Sequence, residues 1–109
     1  MTGLATTTEK IRRNPNQVQR MVRAFVRASR ALRNEREGFI AFAQKKFGYS
    51  KDVSEEGYNI LVDALSQDGL VEDNVLRMAI DEAKSVAGVT KSVAEADVVD
   101  YSFLRAALK

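Results

Sequence analysis

Arg20, Arg23, Arg27 and Arg30 are spaced by three, four and three residues. On an α-helix that spacing sets all four along one face. A ridge of guanidinium groups suits the gripping of nucleic-acid phosphates, anionic lipid or an acidic partner. Arg12, Arg13, Arg33 and Arg36 flank the ridge. The plainer account is the solvated outer side of an amphipathic helix. Two features count against nucleic acid. The other half of the chain is acidic, and no aromatic residue interleaves with the arginines to stack on bases.

A second set of groups is acidic: Glu55, Glu56, Asp63, Asp68, Glu72, Asp73, Asp81 and Glu82. Paired carboxylates can do acid–base chemistry or hold a hard cation. Here they fall at predicted helix starts and on predicted exposed faces, where the helix dipole and hydration account for them. Asp68-Gly69 lacks the alternating oxygen ligands of a calcium loop. A third set is aromatic: Phe25, Phe39, Phe42, Phe47, Tyr49, Tyr58, Tyr101 and Phe103. It could line a pocket, but helical spacing assigns it to a core.

The chain has no histidine, no cysteine and no tryptophan. Without histidine the ordinary serine triad cannot be assembled, and the commonest metal ligand is missing. Without cysteine there is neither a disulfide nor a thiolate site. The expectation is a protein that is not an enzyme, with no cofactor and no metal. At 109 residues it is one small domain at most. Residues 1–50 carry eleven Lys/Arg and three Glu, a net of +8, and residues 51–109 carry six Lys/Arg and twelve Asp/Glu, a net of −6. A chain polarised in this way is suited to a partner of matching asymmetry. No apolar run approaches the length of a membrane span, and the threonine-rich start lacks a signal-peptide pattern. Expressed as written, the chain would be expected to stay in the cytoplasm.

Several helices must position these groups. Thr7 to Arg13 reads as a short helix capped by Thr6, Thr7 or Thr8, with Glu9 near its start. Asn14-Pro15 then predicts a long helix, with Asn14 as cap and proline at the first position. Val18, Met21, Val22, Phe25, Val26, Ser29 and Leu32 form its apolar stripe, and Asn34 breaks or bends it. The next helix turns Phe39, Ile40, Ala43 and Phe47 to one side and ends at Gly48, with Lys45 and Lys46 in its last turn. Ser50 or Asp52 opens another, with Val53, Tyr58, Leu61, Val62 and Leu65 inward and Gly57 as a weak point inside it. Residues 66–69 read as a turn. Glu72 and Asp73 start a helix with Val75, Leu76, Ala79, Ile80 and Ala83 buried, and Gly88 ends it. Residues 89–94 read as a loop, 95–98 as a turn, and the end as a short helix. With no useful strand alternation, the chain reads in isolation as all-α, with four main helices.

Motifs in this order carry a resemblance that covers nearly the whole chain. They are Gly3-Leu4-Ala5-Thr6-Thr7, Arg13-Asn14-Pro15, Leu65-Ser66-Gln67-Asp68-Gly69 and Val98-Val99-Asp100-Tyr101-Ser102-Phe103-Leu104. Together they resemble the C-terminal third of an ABC-transporter substrate-binding protein of the sulfonate/nitrate/taurine and thiamine-precursor type. The resemblance implies part of a two-lobed α/β periplasmic-binding-protein fold, an extracytoplasmic location, a small organic ligand and an ABC permease as partner. Relatives of this kind are about three times longer, as two-domain chains are. The strands bearing most cleft residues would precede this segment, so no ligand contact of the family is carried onto a position here. The missing histidine and cysteine argue against thiamine-precursor synthesis.

Two expectations follow. In the first, the chain is a separated C-terminal part of a solute-binding protein, unable to bind ligand alone. Its helices would then expose an apolar face and drive homo-oligomer formation. In the second, it is an independent helical interaction module that uses the basic helix to bind an acidic partner or nucleic acid.

Overall fold

The computed structural model describes residues 3–109. The described residues are all-helical, with six α-helices and one 3₁₀ turn and no strand. They are α1 (Thr8–Arg13), α2 (Pro15–Asn34), α3 (Arg36–Phe47), α4 (Lys51–Ala64), α5 (Asp73–Ala87), the 3₁₀ turn (Glu95–Asp97) and α6 (Ser102–Leu108). Residues Gly3–Thr6 are irregular. Among the described residues no helix is long and apolar enough to cross a membrane.

Local chemistry accounts for most boundaries. Thr7 caps α1, its Oγ1 accepting from the Lys10 amide at 3.1 Å. Ser50 caps α4, its Oγ accepting from the Val53 amide at 3.3 Å. Gly48 and Gly88 end α3 and α5 at φ 70° and 67°. That left-handed region is one glycine enters without a Cβ clash. Asn14 is a correction. Its side chain makes no capping bond, because it serves two helices at once: its amide donates to the Lys10 carbonyl as the end of α1 while its own carbonyl opens α2. Proline at the first position does the starting.

The helices associate in pairs: α1 and α6 lie along α2, α3 packs on α4, and α5 packs on the 3₁₀ turn. Two side chains join the second pair to α2. Tyr58, 6% exposed, donates its hydroxyl to the Leu32 carbonyl at 2.9 Å and rests its ring on Phe39. Arg33 donates to the Leu65 and Val62 carbonyls at the C-terminal end of α4. Those carbonyls have no partner within the helix, and a cation suits that end of the dipole. Gln19 Nε2 donates to the Phe103 carbonyl at 2.9 Å and fastens α6 to α2. Beside that seam, Leu104 sits 3.2 Å from where a Cβ on Gly69 would lie.

The sealed interior is small. The buried apolar side chains are Val26, Ile40, Ala43, Tyr58, Leu76 and Ile80, spread over four helices rather than gathered round one centre. Several residues expected inside lie outside: Met21 (60% exposed), Phe25, Phe47, Val53, Val75 and Ala83. The physical reason is common to all of them. The helical period places them on the apolar side, but on its margin, which the neighbouring elements leave uncovered. The aromatic set follows the same pattern. Tyr58 is buried, and Phe39, Tyr101 and Phe103 are half-buried. Phe25, Phe42, Phe47 and Tyr49 are exposed.

The molecule is accordingly extended, 48 × 33 × 22 Å, with a radius of gyration of 16.8 Å. A compact domain of this length has about 13 Å. Replacing Tyr58 by Phe removes the hydroxyl that donates from α4 to the Leu32 and Arg33 carbonyls at the end of α2. The expected loss is about 1 kcal/mol, read as a lower urea midpoint with unchanged helical circular dichroism before the transition.

Candidate interaction surface

The four arginines singled out by spacing form a real ridge. Arg20, Arg23, Arg27 and Arg30 are all exposed on α2. Among the described residues none of them has a carboxylate within ion-pair distance or a side-chain hydrogen bond. Of the flanking arginines, Arg13 pairs with Glu9 on α1, Arg36 pairs with Glu37, and Arg33 turns inward to α4. The ridge is therefore narrower than the run of arginines in the sequence, and its charge is unneutralised within the chain. Exposed ion pairs such as Arg13–Glu9 contribute little to stability. Free charges on a fixed helix face are better suited to a partner.

The carboxylates do not converge. No group of three or more acidic side chains among the described residues could hold a metal ion. Glu55 pairs with Lys51, while Glu56, Asp63, Asp81 and Glu82 are exposed and outside ion-pair distance of any base. The acidic half thus mirrors the basic half: each carries charge that the other does not meet inside one copy.

An open depression of about 460 Å³ lies where α5, the 3₁₀ turn and the start of α6 come together. Asp73, Leu76, Glu95, Val99, Tyr101 and Arg105 are among its walls. Its polar groups are largely committed to holding the local fold. Glu95 pairs with Arg77 from α5, and the Asp97 carboxylate accepts from the Ala94 amide. Asp100 Oδ1 accepts from the Ser102 amide at 2.9 Å and from the Ser102 hydroxyl at 2.6 Å, which organises the entry to α6. These bonds to Ser102 hold the Asp100 carboxyl below its ordinary value against the opposing effect of burial, and the Arg105 charge adds to them. This network was not anticipated from sequence. The Asp-x-Ser spacing ahead of a short helix is the signal that could have disclosed it.

The aromatic group does not gather round one pocket: Tyr101 lines the depression beside α6 and Phe42 a second, shallower one beside Lys45 and Lys46. Phe42, Phe47 and Tyr49 instead form a chain on the outside, with Phe42–Phe47 ring centroids 6.1 Å apart and Phe47–Tyr49 centroids 5.6 Å apart. Sequence reasoning missed this exposed cluster because periodicity reports which residues share a face, not whether that face has a neighbour.

No protein-family model matches the chain, and comparison with characterised proteins and with solved structures finds no match either. None of these comparisons supports the resemblance to substrate-binding proteins.

Asp100 gives a direct check of the α6 entry. Its carboxyl is depressed in the folded state, so its bonds to Ser102 stabilise above the ordinary carboxylate value and are lost as pH falls through the lowered one. Ser102→Ala should move the Asp100 titration up toward the ordinary carboxylate range. Carboxyl-carbon NMR titration of the parent and the variant measures the difference.

Proposed function

We propose that the chain is the helical, non-catalytic C-terminal portion of an ABC-type solute-binding protein for small-molecule uptake. In this reading it completes a lobe and does not bind ligand by itself. The observation that supports it is the uncovered apolar surface of α2, α3, α4 and α5: Met21, Phe42, Ile60, Met78 and Val86 are all more than half exposed. Helices with one sealed side and one bare apolar side are built to cover something larger, and a sheet is the usual partner of such a layer. The absent catalytic inventory, and the use of Glu95 and Asp100 in the depression between α5 and α6 to hold the local fold, fit a structural role. The motif order from Gly3-Leu4-Ala5-Thr6-Thr7 to the closing Tyr101-Ser102-Phe103-Leu104 supplies the family. In that setting an ABC permease and a small organic ligand are partners of the whole protein.

An antiserum raised against the chain tests the assignment in the source cells. The expected result is a polypeptide about three times the mass of this chain, as for two-domain proteins, released with the extracytoplasmic fraction. A 12.1 kDa species confined to the cytosol would overturn it.

The unpaired arginine ridge favours a second reading, an independent helical module that takes an acidic partner. In that case the chain binds heparin at low salt. Arg23→Ala with Arg27→Ala would weaken binding and lower the slope of log K against log salt by roughly two. An absence of heparin binding at low salt removes this reading.

A further inference from the structure

The accessible surface of the chain is 8615 Å². A compact monomer of 12.1 kDa has about 6000 Å², by the scaling of surface with mass. The excess, roughly 2600 Å² per chain, exceeds the ~800 Å² that each partner buries in an ordinary stable interface. The extra surface is not spread at random. On two of the helices a bare strip runs beside the inward face, and each of these strips has a charged border.

On α2 the strip is Met21, Ala24, Phe25 and Ala28, all exposed. Around the helix it lies next to the ridge of Arg20, Arg23 and Arg27. On α4 the strip is Val53, Gly57, Ile60 and Ala64, all exposed, with Val53 at 53% and Ile60 at 62%. Its border is acidic: Asp52, Glu56 and Asp63, none of them ion-paired. Gly57 stands in the middle of this strip, where glycine costs a helix about 1 kcal/mol relative to alanine. Nothing in the chain lies within 4 Å of where its Cβ would be, so no internal contact requires the glycine. A small residue there lets another backbone come close.

The two strips complement each other in charge and in hand. On α2 the basic border precedes the strip in the sense of increasing residue angle, and on α4 the acidic border does the same. Two right-handed helices set face to face bring such borders to the same side only when they run antiparallel. In the parallel arrangement the borders fall on opposite sides. Within one copy the two strips face solvent, so the pairing needs a second copy.

We propose that this surface is a homodimer interface, in which α2 of each copy lies antiparallel against α4 of the other, with Arg20, Arg23 and Arg27 beside Asp52, Glu56 and Asp63. A two-fold axis makes the contact twice. The pairing concerns the 109-residue chain by itself and does not rest on the solute-binding assignment; in a whole solute-binding protein the rest of the lobe would cover the side that carries Met21 and Ile60. Failure of the pairing leaves the mass and location found with the antiserum untouched.

Size-exclusion chromatography with light scattering should give a species of twice 12.1 kDa. A monomer at micromolar concentration, or an open ladder of larger species, overturns the proposal. Ile60→Glu should give a monomer with unchanged helical circular dichroism. Arg23→Glu with Arg27→Glu, and separately Glu56→Arg with Asp63→Arg, should each weaken self-association by roughly tenfold or more. Because all four positions are exposed, these variants keep the fold. Mixing the two charge-reversed proteins should restore a dimer containing one of each. Failure of the mixture to associate more tightly than either variant alone overturns the α2–α4 pairing.

Discussion

The governing constraint on this molecule is that its helices carry more apolar surface than they can cover for one another. Six helices joined by short loops could close into a bundle, and a bundle would turn every apolar stripe toward one axis. These helices associate as pairs instead. Each pair seals one side, through Val26 on α2, Ile40 and Ala43 on α3, Tyr58 on α4, and Leu76 and Ile80 on α5. The other sides remain bare, and the elongated shape follows directly from that.

What keeps the pairs in register is polar rather than apolar. Tyr58 and Arg33 both use carbonyls at helix ends, the Leu32 carbonyl near the end of α2 and the Leu65 carbonyl just past α4. A helix end offers carbonyls with no internal partner, so a donor placed there gains a bond without competing with the helix. Arg36 stacks over the Tyr58 ring from the start of α3, its guanidinium carbon 5.5 Å from the centroid. The junction of α2, α3 and α4 is thus tied by three side chains, Tyr58, Arg33 and Arg36. By contrast α5 rests on the 3₁₀ turn, held there by Arg77 and Glu95.

The segregation of charge along the chain acquires a spatial meaning. Basic and acidic halves could have neutralised each other within one copy. They do not: the α2 ridge and the α4 border each face outward. Arg33 departs from the ridge because its place on the helix turns it toward α4, although it belongs to the same basic run. An apolar strip with a matched charged border specifies a partner and its direction, which a bare apolar face would not.

The residue order alone determined the helices and most of their ends, with the caps narrowed to neighbouring residues and the cap at Asn14 misread. Thr7, Pro15, Gly48, Ser50 and Gly88 act through bonds within a turn of their own position, and such local chemistry is legible without a fold. The same is true of the all-α class and of the α2 arginine ridge, since a helical period fixes which residues share a side. Which side is covered was decided only by the tertiary structure. Met21, Phe25, Phe47 and Val53 have the spacing of core residues and are exposed, because burial depends on whether another element arrives, and that is a property of the whole chain's path. The role of Arg33 was likewise settled by approach in space, where distance and direction, not residue type, select the partner.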